Sequence, residues 1–277
     1  MIFASMFNRT SAITLVTILL LCGMSLSFSQ TAPLTADLLV AKILEARGGV
    51  ARLKAIQAQR ITGNVSFGPG AEGPMVVELK RPGKMRMEVT IQGQTVVRVY
   101  DGHGSGWIVN PFSENKGAVP MSGNDLQNIA DESDFDGPLV DYQSKGNKTE
   151  YLGRDEVDGK PAEKLKLITK SGDARTYFLD AETFLLIKWE GIRKNDDKEI
   201  SVESFFHDYR TVNGIKFAFE IDSDSPGTSQ SQKLTIEKLE IDPALDDSRF
   251  TKPSVPPVSS SFANPNNART TASGVGN

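Results

Sequence analysis

Cysteine is nearly absent from the 277 residues: the single one, Cys22, stands inside an apolar leader. With the leader removed, no thiol remains for a disulfide, a thiolate metal site or a nucleophile, so stability must come from packing. Histidine is almost as scarce, with two residues to supply any imidazole chemistry. Positive charge is not in excess. Lys plus Arg number 31 against 35 Asp plus Glu, a formal net charge of -4, so there is no general attraction for phosphate backbones and nucleic acid is not an expected partner. At 39% hydrophobic and 24% charged, the chain can bury a core, which excludes disorder over most of its length and a multispanning membrane protein.

Residues 1–29 read as a secretory signal peptide, with one positive charge at Arg9, an apolar run from about Ala12 to Leu26, and Ser27-Phe28-Ser29 as a small-x-small site. Cleavage is expected after Ser29. Lipid anchoring at Cys22 is disfavoured, because Leu21 stands where lipoprotein processing wants a small residue. An uncleaved anchor is disfavoured too, since the run is shorter than the roughly 20 residues that span a bilayer. The expected product is exported and soluble.

From Thr35 to Ile56 the apolar residues Leu38, Leu39, Ile43, Leu44, Leu53 and Ile56 recur at helical spacing, with Thr35 as N-cap and Gly48-Gly49 as a break between two helices. After Arg60 the period becomes two. Met75, Val77 and Leu79 alternate along one run, and Met85, Met87, Val89 and Ile91 alternate with Arg86, Glu88 and Thr90 along the next. The same pattern resumes at 160–169, 175–180, 185–192, 200–209, 215–221 and 234–241, separated by short turn signals such as Asp158-Gly159 and Asn213-Gly214. Short connections make neighbours antiparallel, and about eleven strands are too many for a flat sheet. The expected fold is α+β and mainly β: a strongly curved antiparallel sheet, an unclosed barrel, with helices covering its concave face. A helix from Ser122 to Asp134, with Ser122 and Asp125 spaced as a capping box, completes the cover. The expected domain spans 30–252, and a Pro-, Ser-, Thr- and Asn-rich tail over 253–277 reads as disordered.

In the stretch MVVELKRPGKMRM, strand parity puts Arg81 on the side of Met75, Val77 and Leu79. A cation on an apolar face needs acceptors, and helix C-terminal carbonyls suit a planar group with five donors. The plainer alternative is that Arg81, beside Pro82 and a turn, escapes to water. Met85 and Met87 pose the same choice between ordinary core and a surface that moulds around apolar ligands.

Leu79-Lys80-Arg81-Pro82, Tyr100-Asp101-Gly102 and Trp107-Ile108-Val109-Asn110-Pro111-Phe112, in this order and spacing, resemble the LolA family of periplasmic carriers that sort lipoproteins to the outer membrane. The resemblance implies an unclosed β-barrel whose concave face holds acyl chains. It implies cavity residues at Met75, Val77, Leu79, Met85, Met87, Val89 and Trp107. It also implies that Arg81 acts as a lid lock, hydrogen-bonded to helix carbonyls. The implied partners are acylated lipoproteins or other lipids, an inner-membrane release complex and an outer-membrane acceptor, with the protein a periplasmic monomer. A lipid-binding sensor of the RseB type, or an anchored acceptor of the LolB type, would share the fold. The acidic 131–136 segment, the long 117–146 region and the tail depart from the family pattern.

Enzyme chemistry is not expected. Asp101, His103 and Ser105 fall in a Gly-rich stretch between strands with no oxyanion scaffold, and read as a hairpin tip. His207 shares a strand with Phe205 and Tyr209 and reads as a half-buried side chain. Asp134-Phe135-Asp136-Gly137 has a calcium-loop flavour, but Gln143 stands where that loop needs its terminal Glu. No cofactor and no metal are expected.

Overall fold

Alternating strands joined by short turns build two antiparallel meanders in a computed structural model that describes residues 33–195, 198–226, 228 and 231–254. The expected signal peptide with Cys22, and the tail beyond 254, lie outside the described residues. Two helices come first, α1 (Ala36–Ala46) and α2 (Val50–Ala55). The first meander is β1 (Ala58–Ser66), β2 (Glu72–Lys80), β3 (Lys84–Ile91), β4 (Gln94–Tyr100), β5 (Gly106–Val109) and the two-residue β6 (Val119–Pro120). Helix α3 (Gly123–Glu132) and a coil crossing follow. The second meander is β7 (Lys148–Val157), β8 (Lys160–Ile168), β9 (Ala174–Asp180), β10 (Leu186–Asn195), β11 (Lys198–Val212), β12 (Ile215–Asp224) and β13 (Ser231–Ile241). A short 3-10 turn over Asp247–Phe250 follows β13.

Pairing of β1 with β13 fuses the meanders into one sheet of thirteen strands, in the order β6-β5-β4-β3-β2-β1-β13-β12-β11-β10-β9-β8-β7. The sheet is unclosed: β6 and β7 are its free edges. Helix α3 proves its curvature, because α3 touches both β4 and β10. In a flat sheet strands seven places apart would lie about 34 Å from one another, whereas a helix of 10 residues is about 15 Å long. The wings must therefore fold towards each other. In the middle of the sheet β1 carries a bulge at Thr62/Gly63 against β13, which increases the local twist. A side chain at Gly63 would meet the Thr235 carbonyl oxygen at 2.1 Å.

The helix ends follow from their residues. Thr35 caps α1 by accepting from the Leu38 N–H at 3.2 Å, and Leu39, Val40, Ile43 and Leu44 bury one face. The break between α1 and α2 sits at Gly48, with φ +122°, where a Cβ would meet the Gly214 carbonyl oxygen at 2.3 Å. Only glycine lets the helical pair approach the β11–β12 turn so closely. For α3, Ser122 occupies the N-cap but makes no side-chain cap bond, and the helix ends at Glu132 rather than Asp134.

The convex face carries a feature that strand parity alone does not suggest. Glu78, 1% exposed, accepts from Arg60 Nε at 2.9 Å and from Arg249 Nε. The C-terminal strap responsible is pinned by Lys80 to the Leu245 carbonyl, by Lys80 and Lys84 to Asp247, and by Arg86 to the Arg249 carbonyl. Phe250, 1% exposed, packs with Ala58 and Leu245 beneath it. Phe250→Ala should cost about 3–5 kcal/mol, as expected for a large buried ring, read as a lower midpoint in chemical denaturation.

Candidate functional site: the concave face and its cover

The concave face has two halves, which differ in how completely they are filled. Under α3, Met75, Val77, Leu79, Met85 and Val89 form a buried cluster with Val65, Met121 and Ile129, and Met87 packs against it half-buried. This part of the sheet is filled by its own side chains. Trp107, by contrast, belongs to the other face. It stands opposite Val99 and Pro120, whereas Ile108 stands opposite Arg98, itself paired with Met87. The expectation that Trp107 lines the concave side is therefore corrected by one residue, and Ile108 packs there instead. A slip of one position along a strand reverses the face.

The open space lies one step further along the sheet, in front of β11, β12 and β13. A cavity of about 340 Å³ is walled by Ile61, Leu179, Leu186, Phe206, Tyr209, Phe217, Ala218, Ile221, Ile236 and Leu239. Ile43 of α1 and Arg47 at its C-cap, with Gly137, Pro138 and Leu139 of the coil crossing, cover it. None of the seven expected cavity residues touches it. The strand-by-strand alternation marked apolar faces correctly but could not say which stretch the helices would fill. That depends on α3 settling over β2–β4, a contact between residues far apart in the chain.

Arg81 ties the cover to the sheet. Its Nε donates to the Ile56 carbonyl at 2.7 Å and its Nη2 to the Leu53 carbonyl at 3.3 Å, the orphan acceptors at the end of α2. The same guanidinium grips Asp136 with two bonds, of 2.8 and 2.6 Å, and lies 4.7 Å from the centroid of the Phe135 ring. Asp136 directly precedes the three coil residues over the cavity, so this fork fixes their position. The crossing is held elsewhere by Tyr142 donating to Asp37 of α1, by Lys54 of α2 on Asp141, and by Lys145 donating to both oxygens of Asp134 at 2.8 and 2.7 Å. Asp134 and Asp136 thus spend their carboxylates on neighbouring cations, while Asp131 accepts from the Gln127 amide. Among the described residues no group of three or more His, Cys, Asp or Glu is placed to hold a metal ion.

No protein-family model matches the chain, and no curated protein matches it in sequence. Solved structures do match in shape. A LolA superfamily protein from Nitrosomonas europaea aligns with a TM-score of 0.51 at 14% identity, over 79% of this chain and 99% of that one. The chain shares the fold of that structure. A DUF1329 family protein from Desulfovibrio piger aligns with a TM-score of 0.54 at 13% identity, over 78% of this chain and 95% of that one. A candidate outer membrane lipoprotein-sorting protein domain from Vibrio parahaemolyticus aligns at 0.51 and 12%, over 78% and 96%. Within this LolA-like fold the Arg81 block stands at the end of β2, against the C-terminus of α2.

Asp101 Oδ1 accepts from the backbone N–H groups of His103 at 2.7 Å and Ser105 at 3.0 Å, closing the β4–β5 hairpin tip. Partial burial works against the Asp101 carboxylate, but those donors prevail and hold its pKa below the usual value. His207 is exposed, 3.7 Å from an Asp222 oxygen, rather than half-buried. Its strand position turns it outward while Phe206 faces the cavity.

The hydrogen bonds from Arg81, helped by the positive charges of Arg81, Lys145 and Lys54, outweigh the opposing effect of burial and hold the Asp136 pKa below its ordinary value. A depressed carboxylate contributes stability above its unfolded pKa and loses it as pH falls through the folded value. Protection of the 133–147 backbone against hydrogen exchange should therefore hold from pH 7 down to about 4 and decline below that. Asp136→Asn should start with weaker protection there and show a smaller step with pH.

Proposed function

We propose that this protein is a periplasmic carrier that takes acyl chains of lipoproteins, or of another lipid, into the covered cavity and passes them towards the outer membrane without covalent chemistry. The observation that carries the reading is the hollow in front of β11–β13: apolar strand residues line it, and it lies beneath elements tied down by polar contacts. Its volume falls at the lower end of the roughly 300–1,000 Å³ common for ligand pockets, which suits alkyl tails entering as the cover lifts.

The energetics favour such a division of labour. Burying methylenes yields about 0.8 kcal/mol each, so one long acyl chain offers on the order of 10 kcal/mol gross. That suffices to hold a chain out of water but opposes release. A cover whose closed state is stabilised by Arg81, Asp136 and the α2 carbonyls offsets part of it, because cargo that lifts the cover must break those bonds.

Two outcomes follow. Arg81→Leu should still load a fluorescent acyl probe yet hand it to an acceptor membrane several-fold more slowly; transfer at the wild-type rate would count against the lock. Ala218→Trp, which fills the hollow, should cut probe uptake at least about tenfold, whereas Trp107→Phe on the opposite face should leave uptake unchanged. Equal uptake by the wild type and Ala218→Trp would place the binding site elsewhere.

A further inference from the structure

We propose that the cargo is an amphiphile with an anionic head, a carboxylate or a phosphate, seated on Arg47, with its alkyl chain lying along β11–β13. The inference rests on the carrier reading and narrows its cargo. Arg47 caps the C-terminus of α1, and its carbonyl accepts from the Lys216 N–H at 2.8 Å, so its backbone is fixed where the helix meets β12. Its side chain reaches the cavity wall, with Nη1 near the Gly137 position and its charge felt by Tyr177 and Tyr209, which line the same space.

The neighbouring arginines are engaged. Arg52 donates to the Gly48 carbonyl at 2.9 Å, and Arg81 is committed to Leu53, Ile56 and Asp136. Among the described residues, the Arg47 guanidinium has neither a hydrogen-bond nor an ion-pair partner. Asp136, whose charge reaches it, has both oxygens bound by Arg81. The Tyr209 hydroxyl donates away from it, to the Leu186 carbonyl at 2.8 Å, and burial pushes that phenol up to about 12. The cavity lining contains one further cation, Lys216, and no Asp or Glu.

Burial lowers the Arg47 pKa, yet a guanidinium remains charged in proteins. Arg47 is half-buried at the apolar hollow, and the partner its guanidinium is shaped for is a planar or tetrahedral oxyanion that can take two parallel N–H bonds. A neutral head would leave those donors unsatisfied, and a site with unsatisfied donors rejects ligands that lack the acceptor.

The test is calorimetric titration of the exported chain with oleate, oleyl phosphate and oleyl alcohol, which share one tail and differ in the head. The wild type should bind the better anion about tenfold to a hundredfold more tightly than the alcohol, the range for a charge-assisted hydrogen bond. Whichever anion is tighter identifies the source as a free fatty acid or a phosphate head. Arg47→Gln should bring the anion-to-alcohol ratio close to one, and Arg47→Lys should keep part of it. An alcohol bound as tightly as both anions by the wild type, or a ratio that survives Arg47→Gln, overturns the head-group assignment and leaves the carrier reading intact. If none of the three enters, the carrier reading itself fails.

Discussion

The ladder between β1 and β13 is the interaction on which the remaining architecture depends. Each meander could form from local hairpins, but two separate antiparallel pieces would each leave an extra edge and no enclosed face. Joined at β1–β13, they become one sheet long enough to coil, and the bulge at Thr62/Gly63 increases the twist at that seam. The two remaining free strands, β6 and β7, are consecutive in the chain yet lie at opposite ends of the sheet. The connection between them must therefore cross the hollow. Helix α3 and the 133–147 coil are that connection, so the cover of the cavity is a topological consequence of the central ladder.

Once a covered hollow exists, the polar groups around it decide how it can open. Arg81 concentrates four hydrogen bonds onto two covering elements, the end of α2 and Asp136 of the crossing. Arg47, just past the end of α1, lines the cavity and has no hydrogen-bond or ion-pair partner among the described residues. One guanidinium is satisfied by the closed protein and the other is left for what the protein encloses. Polar groups in low-dielectric surroundings are costly when alone and strong when paired, so this asymmetry bears on both closure and cargo.

Much of the fold was legible from the chain. Period-two runs with turn signals identified β8 to β13 to within a few residues, because half-buried strands alternate and their connections are short. β7 was not marked, for the converse reason. KTEYLGRDEV is an edge strand with an irregular register at Gly153 and largely exposed side chains, so it carries little apolar signal. The site was legible in part. Parity placed Arg81 beside Met75, Val77 and Leu79, and the shared face holds. The Asp136 contact is not legible in the sequence, since nothing local announces that a carboxylate 55 residues away will meet a guanidinium. Arg47 gave no signal beyond a basic residue before a Gly-Gly break.

Composition and periodicity determined that this chain would make a curved, mainly antiparallel sheet with an apolar inner face and helices to cover it, because those properties arise from neighbours within a few residues. Tertiary structure alone decided which part of that face is filled and which is hollow. Packing of α3 onto β2–β4, closure of the crossing by Arg81 and exposure of Arg47 to the cavity all depend on contacts between segments distant in the chain.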